Sequence, residues 1–297
     1  NVPEYLDEII EKNIICLNSF NNSNKKIPLF NGSTERDMDN FIKYLQKLNY
    51  RVEDKLSFVG KIQIIKNKKM TLYFDSGGPP DYKLSKDYQS GPLSFEYFLD
   101  GVKIITNSGF GNHISKKAGL LSKLTACQST LTINETSITK FENNKMINKV
   151  FGNSIQNSFK SFEISSKNEN DIIGCSASNN GYEKKFGCTH RREIYIDKKN
   201  NFLKGTDHIF KVKDGYPIRY AFRFHINPKL SVIKTMSGNS ALIQISKNKS
   251  LLFTIYNESL DIEKSIFLGE KKIIDSNCIT ISGNLVNKNK IFNWEIR

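Results

Sequence analysis

Leu93-Ser94-Phe95-Glu96-Tyr97-Phe98-Leu99-Asp100-Gly101-Val102 is the stretch that decides the fold class. Leu93, Phe95, Tyr97 and Leu99 fall at every second position, the period of an extended strand with one face in a core. Asp100-Gly101 then supplies two residues that tolerate the positive φ of a tight hairpin turn, so the chain returns as a second strand from Val102. Upstream, Met70, Leu72 and Phe74 keep the same period. Further strands are expected at 130–133, 159–164, 193–196, 216–226, 241–245, 251–256 and 278–281. Many strands joined by short polar turns, with almost no helix among them, predict a mainly β chain built as a large antiparallel β-sandwich.

The first fifty residues read differently. Leu6, Ile9, Ile10, Ile14, Leu17 and Phe20 recur at three- and four-residue intervals, which predicts a helix over 3–20. After the polar residues 21–26, a second helical stripe runs through Met38, Phe41, Ile42, Leu45 and Leu48, with Ser33 and Thr34 as candidate caps. A hairpin of two helices buries too little to fold alone. Residues 1–50 are therefore expected to be the end of a larger helical unit or a cap on the sandwich, and 56–297 the sandwich itself.

With 38% hydrophobic and 25% charged residues, the chain has the composition of a globular protein. A formal charge of +14 attracts polyanions such as acidic polysaccharide, nucleic acid or an anionic membrane. Lys, Asn and Ile are abundant even in loops, however, and an AT-rich coding sequence accounts for that bias equally well. Nucleic-acid binding lacks any recognition motif. The five cysteines, Cys16, Cys127, Cys175, Cys188 and Cys278, are scattered and form no CxxC pair, so neither a zinc knuckle nor a disulfide framework is expected. No run of 18 apolar residues is present to span a membrane, and residues 1–4 lack the pattern of an export signal.

A set of ordered motifs carries a resemblance. Asp75-Ser76-Gly77-Gly78-Pro79-Pro80 is followed by Tyr88-Gln89-Ser90-Gly91-Pro92-Leu93-Ser94-Phe95-Glu96, then Ile105-Thr106-Asn107-Ser108-Gly109 and Thr125-Ala126-Cys127-Gln128-Ser129-Thr130-Leu131. Gly181-Tyr182, Phe186-Gly187-Cys188-Thr189-His190-Arg191, Leu203-Lys204-Gly205-Thr206-Asp207, Phe222-Arg223-Phe224-His225-Ile226-Asn227-Pro228 and Trp294 continue the series. In this order they resemble the C-terminal β-sandwich of the heparinase II/III-like polysaccharide lyases. Leu29-Phe30-Asn31-Gly32-Ser33 and the two helices are similar to the last part of that family's α/α toroid.

The resemblance implies cleavage of an acidic, uronate-containing glycan by β-elimination, in a cleft between toroid and sandwich, in the bacterial periplasm or cell envelope. A base removes the proton α to the uronate carboxylate and the glycosidic oxygen leaves, which requires a group to neutralise the carboxylate and a Tyr or His for proton transfer. The toroid supplies much of that set, so this chain is expected to need its own N-terminal toroid to complete the site. The alternative is a non-catalytic descendant that binds acidic glycan or serves a structural role.

Against the family pattern, the common H-x-H falls on Asp87-Tyr88-Gln89, an Asp position is Asn107, and a His position is Gln128. Zinc takes imidazole, thiolate and carboxylate ligands, so three neutral amides predict that the family's zinc is absent. Asp87 or Tyr88 is then the candidate for proton transfer.

Candidate glycan contacts are Tyr182, His190, Arg191, Arg219, Arg223 and His225. Alternation over Ile218–Ile226 places Arg219, Arg223 and His225 on one face, either a cationic strip or a solvated face with His225 satisfied locally. His190 either orients a carboxylate or pairs with a neighbouring strand. His113 and His208 lie in polar stretches and are expected to be solvated. The Asp75–Pro80 segment lacks a phosphate-loop pattern and is expected to be a structural turn.

Overall fold

The chain enters through two helices, α1 (Glu4–Phe20) and α2 (Asp39–Lys47), and then turns almost wholly to strand. The first strands are β1 (Phe58–Val59), β2 (Ile62–Lys66), β3 (Met70–Asp75), β4 (Phe95–Leu99) and β5 (Val102–Thr106). Short helices α3 (Lys116–Ser122), α4 (Lys145–Phe151) and α5 (Glu183–Phe186) punctuate β6 (Leu131–Ile133), β7 (Ser161–Asn168) and β8 (Ile172–Asn179). There follow β9 (Cys188–Asp197), β10 (Phe202–Lys211), β11 (Ile218–Ile226), β12 (Ser231–Lys234) and β13 (Ser240–Ser246). The last are β14 (Lys249–Ile255), β15 (Asp261–Phe267), β16 (Ile274–Leu285) and β17 (Lys290–Ile296). This computed structural model describes residues 3–21, 26–50, 55–211, 217–286 and 288–297. Residues 22–25 of the polar stretch after α1, and Tyr216 at the start of one expected strand, lie outside the described residues.

Two antiparallel sheets result. One runs β1-β2-β3-β4-β5-β11-β16-β15, with β6 added on β11; the other runs β12-β13-β14-β17-β10-β9-β8-β7. The opening stretch forms its hairpin as expected, with Asp100 at φ 48° and Gly101 at φ 78°. Leu93 departs from the expectation: it sits at φ 59° in a turn before β4, where its N–H donates to the Asp75 carbonyl at 2.8 Å.

The inner faces of both sheets meet around Trp294, whose ring stacks on Phe95 (5.5 Å, 10°) and Phe253 (6.0 Å, 12°), with Phe224 edge-on at 5.1 Å. Gly205 lies directly across the strand pair from Trp294, and a Cβ there would fall 2.0 Å from the indole. The core also holds a polar knot. Arg192 of β9 is fully buried, grips both oxygens of Asp207 (2.7 and 3.1 Å), and donates to the Leu93 and Ser129 carbonyls across the core. Trp294 Nε1 donates to the same carboxylate at 2.8 Å. A buried charge is tolerated only when its hydrogen-bonding capacity is used in this way.

The end of α1 and the segment after it pack against the outer face of the first sheet. Phe20, Phe30 and Val59 cover Ile62, Ile64, Tyr73 and Phe98, and Tyr73 donates from its hydroxyl to the Phe20 carbonyl at 2.8 Å. Only part of each apolar stripe is covered. Ile14 and Leu45 are buried, whereas Leu6, Ile9, Phe41, Tyr44 and Leu48 are exposed. The expected Ser33 and Thr34 caps are corrected as well: α2 starts later, and Asp37 Oδ1 accepts from the Asp39 N–H at 2.9 Å.

Candidate functional site

The turn after β3 is built around a buried carboxyl. Asp75 Oδ1 accepts from the Gly77 N–H at 3.2 Å, while Ser76 donates from both N and Oγ to the Lys61 carbonyl. Gly77 has to be a glycine, because a Cβ would fall 2.4 Å from the Lys61 side chain. The turn is therefore sewn onto the β1–β2 hairpin, as its structural reading requires. The following segment folds back over it, so that Asn31, Gly60, Lys61, Asp75, Asp87 and Tyr88 together line a pocket of about 300 Å³.

The two candidates for proton transfer thus sit beside a cation and a second carboxyl. Burial pushes the Asp75 carboxyl up to about 7, with the Gly77 N–H and Lys61 only partly offsetting it. Tyr88 is raised well above the ordinary tyrosine value, first by burial and then by the Asp75 charge. Its side chain is 4% exposed, and its hydroxyl has no hydrogen-bond partner among the described residues. The pocket therefore holds a phenol kept protonated and a carboxyl whose charge burial disfavours.

Next to this pocket, each of the three amides is hydrogen-bonded to main-chain groups. Gln89 donates from Nε2 to the carbonyls of Ser122 (2.8 Å) and Gly109 (3.1 Å), and Gln128 donates to the same Ser122 carbonyl at 2.9 Å. Asn107 Oδ1 accepts from Ser129 N at 2.9 Å, and its Nδ2 donates to the Leu29 carbonyl at 3.3 Å. Gln89 and Gln128 meet at the shared Ser122 carbonyl rather than by bonding one another. Such a donor set does not fit zinc: the ligands are neutral amides, already committed to main-chain groups. Among the described residues, no three His, Cys, Asp or Glu side chains are grouped to hold a metal.

Gln89 and Asn107 also fasten the segment after α1 to the sandwich. Gln89 Oε1 accepts from Gly32 N, and Gln89 N donates to Asn31 Oδ1 at 3.2 Å. Lys103, 1% exposed, reinforces the join by standing 3.0 Å from Glu35 and 3.1 Å from Glu96. Burial alone would raise the Glu35 carboxyl, but Lys103 and Lys26 hold it below the usual value.

The remaining candidates are placed elsewhere. His190 is 2% exposed, with Nε2 2.7 Å from Asp207 Oδ1, so the carboxylate it meets belongs to the chain's own neighbouring strand. Burial, against the pull of Asp207, lowers its pKa and keeps it neutral. Tyr182 is 3% exposed and donates to the Thr136 carbonyl at 2.8 Å. His225 does share a strand face with Arg219 and Arg223, but it is buried between Ser265 Oγ (2.8 Å) and the Ala126 carbonyl (3.0 Å). His190 and Tyr182 serve the sandwich interior and His225 is buried on the outer face of β11 by local partners, which corrects the expectation that they face a sugar. Arg191 pairs with Glu163 and Glu193, and Arg223 pairs with Glu135; only Arg219 is exposed. Sequence reasoning missed Lys61 and Asp75, which belong to the pocket, and Arg192, which carries the interior knot. The only available signal was the position of Asp75 at the head of the Gly-Gly-Pro-Pro turn.

The family model for the heparinase II/III-like C-terminal domain matches residues 55–295. The chain belongs to that family, as a mainly β sandwich of two antiparallel sheets. Among solved structures, the heparan sulfate lyase HepC from Pedobacter heparinus superposes with a TM-score of 0.75 at 14% identity, over 99% of this chain and 47% of that one. A heparinase III structure gives 0.71 at 15% identity, over 99% and 49%. At such identities the likeness establishes the fold. The chain spans about half the length of these structures. Among curated proteins, none matches the sequence. No helix among the described residues is long and apolar enough to cross a membrane.

Proposed function

We propose that the chain is the C-terminal half of a polysaccharide lyase that cleaves uronate-containing glycans by β-elimination. The observation that carries this reading is the pocket in which Asp87 and Tyr88 meet Lys61 and Asp75. Lys61 offsets the charge that builds on the uronate carboxylate as the α-proton leaves. Asp87 is the candidate acceptor of that proton. Tyr88, kept protonated by burial, is the candidate donor of one to the departing glycosidic oxygen. Arg219 and the outer Arg191 and Arg223 are assigned as basic contacts to the acidic chain.

Residues 1–50 are assigned as the last helices of an α/α toroid and 56–297 as the sandwich domain. The exposed Leu6, Ile9, Phe41, Tyr44 and Leu48 support this, because they give preceding helices an apolar face to cover. A bacterial periplasm or cell envelope is the compartment in which such a glycan is met. The second reading, a non-catalytic glycan binder, is favoured by the amides at Gln89, Asn107 and Gln128.

Incubation of the complete protein with a panel of uronate polysaccharides distinguishes the two. The lyase reading expects rising ultraviolet absorbance as unsaturated ends form. A flat trace with retained glycan binding sinks it in favour of the binder.

A further inference from the structure

Phe58 and Gln63 stand directly opposite each other in the β1–β2 pair, so their side chains project to the same side of the sheet. That side is the inner one, because Gln63 is also paired with Phe74, a core residue. Yet Phe58 is 48% exposed, and Gln63, only 4% exposed, has an amide nitrogen with no hydrogen-bond partner among the described residues. A buried donor without an acceptor is unusual in a folded protein and marks a place where something else supplies one.

Both residues line a groove of about 460 Å³ that opens between the β1–β2 edge of one sheet and the β7–β8 edge of the other. Its far wall carries Ile164, 46% exposed, together with Ser166 and Lys167. Ser166 faces inward, since its cross-strand partner Cys175 is part of the core. The edges are poorly suited to an added strand: β1 is two residues long, and β7 is interrupted by a bulge between Phe162 and Ser165. An exposed ring beside an unused N–H donor, a hydroxyl and an ammonium instead matches a pyranose, which offers an apolar C–H face and a rim of oxygen acceptors.

The groove adjoins the candidate catalytic pocket. Gly60 and Lys61, the turn of the same β1–β2 hairpin, line that pocket, and Gly78 of the pocket abuts the Phe159 carbonyl just before β7. We propose that the groove is a distal subsite holding a further sugar residue of the chain whose uronate occupies the pocket. This rests on the glycan reading above and extends it to the length of substrate engaged.

The test compares Phe58→Ala, Phe58→Tyr and Gln63→Leu with wild type in the complete protein, each first shown to melt as wild type does. The probes are heparan sulfate, chondroitin and alginate oligosaccharides, as disaccharides and as longer chains. Phe58→Ala and Gln63→Leu should weaken binding of the longer chains by about tenfold, leave disaccharides unaffected, and raise KM without changing kcat where turnover occurs. Phe58→Tyr, which keeps the ring, should bind as wild type. Wild-type binding of long chains by both Phe58→Ala and Gln63→Leu overturns the subsite, as does failure of wild type to bind any of these glycans. Weakened long-chain binding with flat absorbance keeps the subsite and removes the lyase, whereas normal cleavage with unchanged chain-length dependence does the reverse.

Discussion

Gln89 Oε1 accepts a hydrogen bond from Gly32 N at 3.1 Å, across 57 positions of sequence, and so ties the segment after α1 to the sandwich beside the candidate pocket. The same side chain holds two carbonyls, of Gly109 and Ser122. Gln89→Ala leaves Gly32 N and the Gly109 carbonyl without this partner, while the Ser122 carbonyl keeps Gln128. It should lower stability by about 1–3 kcal/mol, read as a fall in thermal midpoint, with exchange of the Gly32 amide increased more than that of the core strands. An unchanged midpoint would show that the join rests on other contacts.

The amide set makes a claim about metal. Wild type should contain no stoichiometric zinc by elemental analysis, and a chelator should leave its melting unchanged. Joint substitution of Gln89→His, Asn107→Asp and Gln128→His supplies a ligand set of the kind zinc takes. That variant should gain about one zinc per chain and a chelator-sensitive melt. Zinc in the wild type at that ratio would overturn the assignment.

Tyr88 is assigned to proton transfer, so Tyr88→Phe removes the hydroxyl while keeping the buried ring. In the complete protein kcat should fall by about 10²- to 10⁴-fold with little change in stability, because the hydroxyl makes no hydrogen bond among the described residues. Retention of full activity would move proton transfer to Asp87 or to the toroid.

Asp207→Asn weakens the grip on the buried Arg192 guanidinium and on Trp294 Nε1. Breaking a buried pair in this way costs about 3–5 kcal/mol, measurable by urea unfolding. Trp294 is the chain's single tryptophan, so its fluorescence reports the site directly.

His225 gives a pH dependence. Burial lowers its pKa from 6.5 to about 4, so between these values the unfolded chain binds more protons than the folded one. Its contribution is complete above 6.5 and is lost as pH falls through 4. His190 is shifted in the same direction. Asp75, raised to about 7, works oppositely: its folded form holds the proton longer, so its contribution falls as pH rises from 3.8 to 7. His225→Gln should therefore flatten the loss of stability between about pH 6.5 and pH 4; an unchanged slope in urea midpoints would exclude His225 as its source.

Periodicity made the sandwich legible wherever inward positions are apolar, as in Phe95, Tyr97 and Leu99. It failed at β10, whose inward positions include Gly205 and Asp207, because the first makes room for Trp294 and the second binds Arg192. At β8, small residues such as Gly174, Ser176 and Ala177 hide a strand behind a loop-like composition. The motif series identified the family and brought Asp87, Tyr88 and the three amides to attention. What local sequence could not reveal was burial. His190 and Arg191 are neighbours on one strand, yet alternation sends the first into the core and the second to the surface, and only the packing of the second sheet decides which is which.

By itself, then, the sequence determined a β-sandwich of this family, with amides at Gln89, Asn107 and Gln128, because strand period, turn chemistry and side-chain donor type are local properties. Tertiary structure alone decided that Asp75 and Lys61 join Asp87 and Tyr88 in one pocket, that Gln89 holds Gly32, and that Phe58 and Gln63 open onto a groove. Those relationships join residues on different strands and loops, and they exist only once the chain has closed on itself.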